Sequence, residues 1–219
     1  MNIKKTFFCN IDTQKDFMNI DGALYVPGAE DIKEILSKLT LFAKENSIKT
    51  INTADWHFDD SEELSNTPDF INTFPPHCVG NTHGVGYIDE TNMKDDINIT
   101  FKWDVDYSDK FMEEAISRLR EIIITKDKFD LFSSKHTDKL INILRDEYTN
   151  VVVYGVAGDV CVKYAVDGLL ERGFNVYLVE DATKALNIEN YDTIKRNWIK
   201  NENFKIINSD DIIKIKEKL

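Results

Sequence analysis

The alternation of hydrophobic segments along this chain predicts an α/β fold in which helices cover both faces of a parallel sheet. Three runs are rich in β-branched or aromatic residues and lack the polar alternation of a half-exposed strand, namely residues 5–11, 151–155 and 176–179. Segments with the hydrophobic period of a helix lie between them. Because strand and helix follow each other in turn, βαβ units are the favoured connection, and these units produce parallel strands.

The remaining elements follow from hydrophobic period and from end signals. Residues 29–46 carry apolar side chains at helical spacing, and residues 161–173 end in a glycine, which is a common helix stop. Near the end of the chain, Asn208 follows a short apolar run and is expected to cap a terminal helix. The other expected elements are strands at 49–53, 121–125 and 204–207 and helices at 111–119 and 138–148.

One long segment, residues 58–109, does not follow this alternation. It is rich in Asn, Asp, Thr, Pro and Gly, and it is long for a connection within a compact domain. Loops of that length are often functional. Since the chain shows no internal repeat and no linker-like stretch, we expect a single domain over residues 1–219.

Composition limits the classes of function. A formal net charge of −12 over 219 residues argues against a nucleic-acid or anionic membrane surface as the main partner. The three cysteines are far apart and form neither a disulfide framework nor a CxxC zinc spacing. The longest apolar run, residues 151–157, is far shorter than the roughly 20 residues that a bilayer requires, and the first residues do not form a secretory signal. We expect a cytoplasmic protein that handles a small ligand or a metal.

Chemically useful side chains stand where the predicted strands end. Asp12 follows the first strand, Asp55-Trp56-His57 the second, Lys126 the strand at 121–125, and Cys161 begins a helix after the strand at 151–155. In an open parallel sheet the ligand site lies beyond the carboxyl ends of the strands. An acid, a metal-binding pair, a cation and a thiol are therefore expected at one rim.

Cys161 is the candidate nucleophile of this set. The first turn of a helix offers free N–H groups and the positive end of the helix dipole, which lower a thiol pKa and can hold an oxyanion. Lys126 would add a cation, and Asp12 could move the proton. Taken singly, a lone cysteine is more often a small core residue, and a lone Asp or Lys is usually a solvated charge.

Asp55 and His57 form the candidate metal pair. Residues two apart in a strand point the same way, so this carboxylate and this imidazole can share one cation. Mixed oxygen and nitrogen ligands suit Zn²⁺, Mn²⁺ or Fe²⁺. A pattern of two such residues alone is more often incidental. The following loop contains further candidate ligands, which are Glu62, Glu63, His77 and His83.

Six segments together resemble the isochorismatase-like cysteine hydrolases, and within them the nicotinamidase/pyrazinamidase branch. They occur in the order of that family and cover most of the chain, with weaker likeness at 87–121 and after about residue 187. The Asp-Trp-His and Pro-Pro-His segments resemble metal motifs that isochorismatases proper lack. The six segments begin at Asp12, Gly22, Ala54, Pro75, Lys126 and Gly155.

The resemblance implies a three-layer, Rossmann-like α/β/α fold around a central parallel sheet. It also implies an amidase that converts nicotinamide to nicotinate and ammonia through a thioester, also hydrolyses pyrazinamide, and serves NAD salvage. The implied cofactor is one divalent metal ion, with Zn²⁺ favoured over Fe²⁺ or Mn²⁺. The implied partner is the small-molecule substrate, without nucleic acid or membrane, and a homo-oligomer is compatible with the family.

The resemblance also assigns roles to individual residues. Asp12 is the implied acid and base, Lys126 the implied cation and Cys161 the implied nucleophile. The backbone N–H groups of Ala157 and Cys161 would hold the oxyanion, with a cis peptide bond between Val156 and Ala157. The implied metal ligands are Asp55, His57, His77 and Glu63, with the adjacent Glu62 as the alternative fourth ligand, and the implied substrate contacts are Phe17 and Phe74.

Three departures and three other interpretations remain. Phe74 replaces a usual Trp, and His83 is either a bystander, which we favour, or an extra ligand. The segment 88–110 is longer and more acidic than expected, and its role is left open between a lid and an oligomer contact. The other interpretations are a metal-free relative acting on an isochorismate-type ether or an N-carbamoyl substrate, a catalytically silent sensor, and a thiol redox protein that would use Cys161 with Cys9 or Cys78.

Overall fold

The central element of the protein is a sheet of parallel strands. The computed structural model describes residues 1–92 and 98–214, and in these ranges the strands follow the spatial order β3-β4-β2-β1-β5-β6-β7. The sequence predicted the parallel arrangement, which is confirmed. The strands are β1 (Thr6–Ile11), β2 (Thr50–Asp55), β3 (Asn98–Phe101), β4 (Glu121–Lys126), β5 (Asn150–Gly155), β6 (Asn175–Thr183) and β7 (Phe204–Ile207).

Helices connect the strands and form the two outer layers. Within the described residues they are α1 (Lys15–Met18), α2 (Lys33–Glu45), α3 (Asp109–Arg118), α4 (Thr137–Glu147), α5 (Cys161–Glu171), α6 (Ile188–Trp198) and α7 (Ser209–Ile213). The expected cap of the last helix is confirmed, since the Asn208 and Asp211 side chains form a reciprocal capping box. Two helices, α1 and α6, were not predicted, although the Asn187 side chain caps α6 and was a usable signal.

Each strand of the sheet centre is buried on both faces. All six residues of β1 and of β5 are buried, which explains why neither shows polar alternation. Phe7 of β1 packs in a core cluster with α3, α4, α5 and α6, whereas its neighbour Phe8 packs in a second cluster with α2 and α7. Successive side chains on one strand therefore fill the two cores of a three-layer α/β/α fold.

The segment predicted as a long loop contains an edge strand. β3 pairs with β4 through the register Asn98 to Glu121, and only Phe101 of its four residues is buried. A short, half-exposed strand with polar residues carries little hydrophobic pattern, so its pairing depends on the neighbouring strand. The part of the 88–110 segment at 93–97 lies outside the described residues.

The strand order places the site. The chain moves from β1 to β2 on one side of the sheet, and β5 pairs with β1 on the other side, which makes the carboxyl end of β1 a topological switch point. None of the helices in residues 1–92 and 98–214 has the length and apolar character needed to cross a membrane.

Candidate active site and metal centre

The sheet brings the four predicted strand-end groups into contact. Lys126 Nζ lies 2.9 Å from Asp12 Oδ2 and 3.7 Å from Cys161 Sγ, and it also forms a hydrogen bond and ion pair with Asp55 Oδ1. The parallel register of β2 and β4 places Asp55 directly beside Lys126. All four side chains are buried, so their charges interact without screening by solvent.

Asp12 is held with one oxygen towards the cation. It follows β1 with φ = 46°, and its backbone N–H donates to Thr53 Oγ1 while that hydroxyl donates to Asp12 Oδ1 at 2.5 Å. Burial raises the pKa of the Asp12 carboxyl, and Lys126 opposes this effect without cancelling it. A carboxyl with a raised pKa beside a thiol is suited to take up and release a proton.

Cys161 is the first residue of α5 and faces the same charges. Burial raises the pKa of its thiol well above the ordinary value, and the Lys126 ammonium acts in the opposite direction. The Sγ atom lies within 4.8 Å of a carboxylate oxygen of Asp12 and of Asp55. Burial thus favours the neutral thiol, and Asp12 is the nearby group that can accept its proton.

The turn between β5 and α5 has two unusual backbone features close to Cys161. Gly155 has φ = 119°, and a Cβ there would lie 2.1 Å from the Ile11 carbonyl oxygen, so only glycine fits. The Val156–Ala157 peptide bond is cis, as the resemblance implied. Ala157 and Cys161 both line the chamber that contains the thiol, and the oxyanion role of their N–H groups stays a prediction.

Three predicted metal ligands form a compact cluster. Asp55, His57 and His77 each offer a ligand atom, and these atoms all lie within 4.8 Å of one another. Although burial disfavours its charged form, Lys126 beside Asp55 lowers the pKa of that carboxyl well below its usual range. The His77 Nδ1 atom lies 2.7 Å from the Pro75 carbonyl oxygen, which leaves Nε2 directed at Asp55.

The donor set fits a divalent metal ion. His57 is fully buried, yet neither of its ring nitrogens has a hydrogen-bond partner in the described part of the chain. A buried polar atom without a partner costs free energy, so an imidazole in this state calls for a ligand. One carboxylate and two imidazoles can hold a divalent cation and leave a coordination position open.

Glu63 lies at the edge of this cluster, and Glu62 does not. The Glu63 Oε1 atom accepts a hydrogen bond from the Phe129 N–H, and its Oε2 is buried without a partner among the described residues. The Glu62 side chain is 85% exposed and pairs with Lys128. Glu63 is absent from the group of ligand atoms within 4.8 Å, so its place as fourth ligand stays a prediction.

A pH experiment on the metal-free protein tests the state of Glu63. Burial raises the pKa of Glu63 from its ordinary 4.5 to about 7. The folded state then binds a proton that the unfolded state has released, so this carboxyl lowers the free energy of unfolding as pH rises from 4.5 to about 7. We expect Glu63→Gln to reduce that decline. Urea unfolding in chelator at about pH 5 and about pH 8 measures it.

The matched control for this experiment is Glu62→Gln. Because Glu62 is exposed, its variant should keep the pH dependence of the wild type. Equal pH dependence of stability in wild type and Glu63→Gln would contradict the buried, protonated state.

Aromatic side chains form the walls of the chamber. Phe17 is 5% exposed, and its ring centroid lies 5.3 Å from that of His77. Phe74 packs edge-on against Phe129 at 5.3 Å, which gives the chamber a wall that sequence reasoning did not assign. A vestibule of about 720 Å³ adjoins this chamber, and Leu24, Phe74 and Phe129 line both.

The structure adds one residue that orients the site. The Gln14 side chain donates to the Asp55 and Val85 carbonyls and accepts from the Asp55 N–H, so it holds both backbone groups of a metal ligand. Its place two residues after Asp12, in the opening segment of the resemblance, was a usable signal. His83 is exposed beside Lys15 at 2.9 Å and does not belong to the metal cluster.

The cysteines do not form a redox pair in this structure. Cys9, Cys78 and Cys161 are all buried and free. Cys78 packs in the core cluster on the opposite face of the sheet from Cys161. Cys9 packs in the same core cluster as Cys161, but no disulfide joins the two, so the thiol redox interpretation gains no support from the arrangement.

The family model of the isochorismatase domain matches residues 6–204. The chain belongs to the isochorismatase family. Among the relatives of this isochorismatase-family chain is a nicotinamidase/pyrazinamidase of Mycobacterium tuberculosis, 24% identical over 180 residues, which are 82% of this chain and 86% of the relative. A nicotinamidase of Escherichia coli is 24% identical over 195 residues, covering 84% of each chain.

A solved structure of the family has the same fold and contains a metal. The pyrazinamidase of Pyrococcus horikoshii in complex with zinc is 25% identical, has a TM-score of 0.68, and aligns over 93% of this chain and 99% of its own. A second structure, from L. infantum, was solved in complex with nicotinate and has a TM-score of 0.71 at 20% identity over 96% of each chain. At that identity it shows the fold alone.

Proposed function

We propose that this protein, as a single hydrolase domain, is a metal-dependent cysteine amidase that hydrolyses nicotinamide to nicotinate and ammonia. One observation carries the proposal. The buried Asp55 carboxylate lies beside Asp12, Lys126 and Cys161, and it also belongs to the Asp55-His57-His77 cluster. The nucleophile and the metal site therefore adjoin the same carboxylate. The names of the relatives support the substrate, since two of them are nicotinamidases.

Asp12 and Cys161 carry the first chemical step. The Asp12 carboxylate accepts the thiol proton, and Lys126 stabilises the negative charge that remains. The Cys161 thiolate then forms a bond to the carboxamide carbon. The backbone N–H groups of Ala157 and Cys161 donate to the oxyanion, which stabilises the tetrahedral intermediate.

Asp12 also serves the second half of the reaction. It returns its proton to the amide nitrogen as the carbon–nitrogen bond breaks, so ammonia leaves and a thioester to Cys161 remains. Asp12 next takes a proton from water, whose oxygen attacks the thioester carbon. The carbon–sulfur bond breaks, nicotinic acid leaves and ionises to nicotinate, and Asp12 returns its proton to the Cys161 sulfur. The raised pKa of Asp12 suits it to act in both directions.

The other residues place the substrate. Asp55, His57 and His77, with Glu63 as the proposed fourth ligand, would hold Zn²⁺ rather than Fe²⁺ or Mn²⁺. The ion would supply a Lewis acid for the pyridine nitrogen of the substrate. Phe17 and Phe74 would contact the ring. The same groups suit pyrazinamide as a substrate. Release of nicotinate would serve salvage of the pyridine ring of NAD.

Ammonia release from nicotinamide tests the function, with and without metal. Because the metal would position the substrate, we expect chelation to raise KM about tenfold or more and to lower kcat less. Re-addition of Zn²⁺ should restore the wild-type KM. The absence of release by metal-replete protein would refute the assignment and direct the search to other amides, N-carbamoyl compounds and isochorismate-type ethers.

A further inference from the structure

The peptide between two metal ligands is held on both sides. Trp56 lies between Asp55 and His57, and its N–H donates to the Lys126 carbonyl at 2.8 Å. The His57 N–H donates to the Cys78 carbonyl at 3.0 Å. The Trp56 carbonyl, which belongs to the same peptide plane as the His57 nitrogen, accepts a hydrogen bond from a side chain distant in sequence.

His57 depends on this backbone more than His77 does. Metal-binding histidines usually have their second ring nitrogen bonded to a carbonyl or carboxylate, which orients the ring. His77 has such a partner in the Pro75 carbonyl, whereas the two ring nitrogens of His57 have none within the described ranges. Its Nε2 lies 3.8 Å from Asp55 Oδ2, which is beyond hydrogen-bond distance. The direction of the His57 imidazole therefore follows mainly from its backbone and from packing against His77, 4.9 Å away between ring centroids.

Trp103 supplies the side-chain bond to this backbone. Its indole Nε1 donates to the Trp56 carbonyl at 3.1 Å, and its own N–H donates to Thr125 Oγ1 at 3.1 Å, next to Lys126. The indole ring packs against Phe58 with centroids 5.8 Å apart. Trp103 follows the edge strand β3, in the segment whose role the sequence left open.

We propose that Trp103 is a positioning residue of the metal centre. Its indole N–H holds the Trp56–His57 peptide plane and so orients the His57 imidazole towards the ion, in place of the hydrogen bond that the ring lacks. This role rests on the metal site of the proposed function. Trp103, which follows β3, thereby connects the edge of the sheet to the metal site.

Trp103→Phe tests the proposal, because it removes the indole N–H and keeps an aromatic ring against Phe58. We expect the dissociation constant for Zn²⁺, measured by competition with a chromophoric chelator, to rise roughly tenfold, as at other sites that lose a residue bonded to a ligand. Because weaker metal binding acts through substrate positioning, KM at limiting Zn²⁺ should also rise. Saturating Zn²⁺ should restore KM.

Trp198→Phe is the matched control. It also removes an indole hydrogen bond, from Nε1 to Asp167 Oδ1 at 2.6 Å. Trp198 is 5% exposed and packs in a core cluster at the end of α6. It should lower the thermal midpoint without changing Zn²⁺ affinity. Equal Zn²⁺ affinity in wild type and Trp103→Phe would refute the proposal, as would an equal loss in Trp198→Phe. A wild type that binds no Zn²⁺ would instead refute the proposed metal site.

Hydrogen exchange gives a second measurement if Trp103→Phe does not fold. The chain has three tryptophans, so three indole N–H signals are expected, and the Trp103 signal can be assigned by elimination once the other two are substituted singly. Zn²⁺ should slow exchange of the Trp103 indole proton and leave that of Trp198 unchanged, since only the first bonds the ligand-bearing backbone. Unchanged exchange at Trp103 on adding Zn²⁺ would overturn the proposal.

Discussion

Cys161→Ala should abolish turnover of nicotinamide while the protein still folds and still binds its substrate. The thiol is the only group in the described chamber placed to form the thioester, next to Asp12 and 3.7 Å from Lys126. Loss of a nucleophile that acts as one unit with its base costs about 10⁴-fold or more in kcat. The dissociation constant for nicotinamide should change little, because the metal ligands and the aromatic walls remain.

Cys9→Ala is the matched control for this variant. Cys9 is fully buried on β1 and packs in the same core cluster as Cys161, but it lies before the strand end. Its removal should cost about 1 kcal/mol of stability and leave kcat within about twofold. Ammonia release by Cys161→Ala at a rate close to that of wild type would exclude the thioester mechanism.

Lys126→Met should have the largest effect on stability and should also lower kcat strongly. Lys126 pairs with the carboxylates of Asp12 and Asp55, and each of the three side chains is at most 1% exposed. Removing one partner from a buried ionic group leaves uncompensated charge and costs about 3–5 kcal/mol. We expect that loss in urea unfolding of the metal-free variant, and a fall in kcat of about 10³-fold.

The metal separates the two effects of this substitution. Added Zn²⁺ should restore part of the stability, because it returns positive charge beside Asp55, but kcat should stay low because the thiolate lacks its cation. Lys128→Met is the control, since Lys128 pairs with Glu62 at the surface with 46% of its side chain exposed. It should change stability by less than about 0.5 kcal/mol. Comparable losses in both variants would contradict the role given to Lys126.

The sequence by itself determined the fold class and most of the site. Alternating strands and helices predicted the parallel sheet, because strands buried on both faces leave continuous apolar runs that are easily recognised. The rule that ligands bind beyond the carboxyl ends of such strands then predicted the grouping of Asp12, Asp55, Lys126 and Cys161. The structure places these four in contact, as expected.

The tertiary structure alone decided how these groups are paired and held. The registers that set Asp55 beside Lys126 and Ile11 beside Gly155 depend on strand pairing between residues far apart in the chain. A one-residue change of register would reverse the face of every side chain. In strands buried on both faces the apolar pattern does not alternate, so it does not distinguish neighbouring registers.

The supporting bonds were hidden for the same reason. The bond from Trp103 to the Trp56 carbonyl joins residues 47 positions apart, through an edge strand with too few apolar residues to be recognised. Gln14 bonds the backbone of Asp55, 41 positions away. Backbone groups carry no residue identity, so a side chain that bonds them leaves no signal at the partner position. Such contacts arise only when the folded chain brings the two segments together.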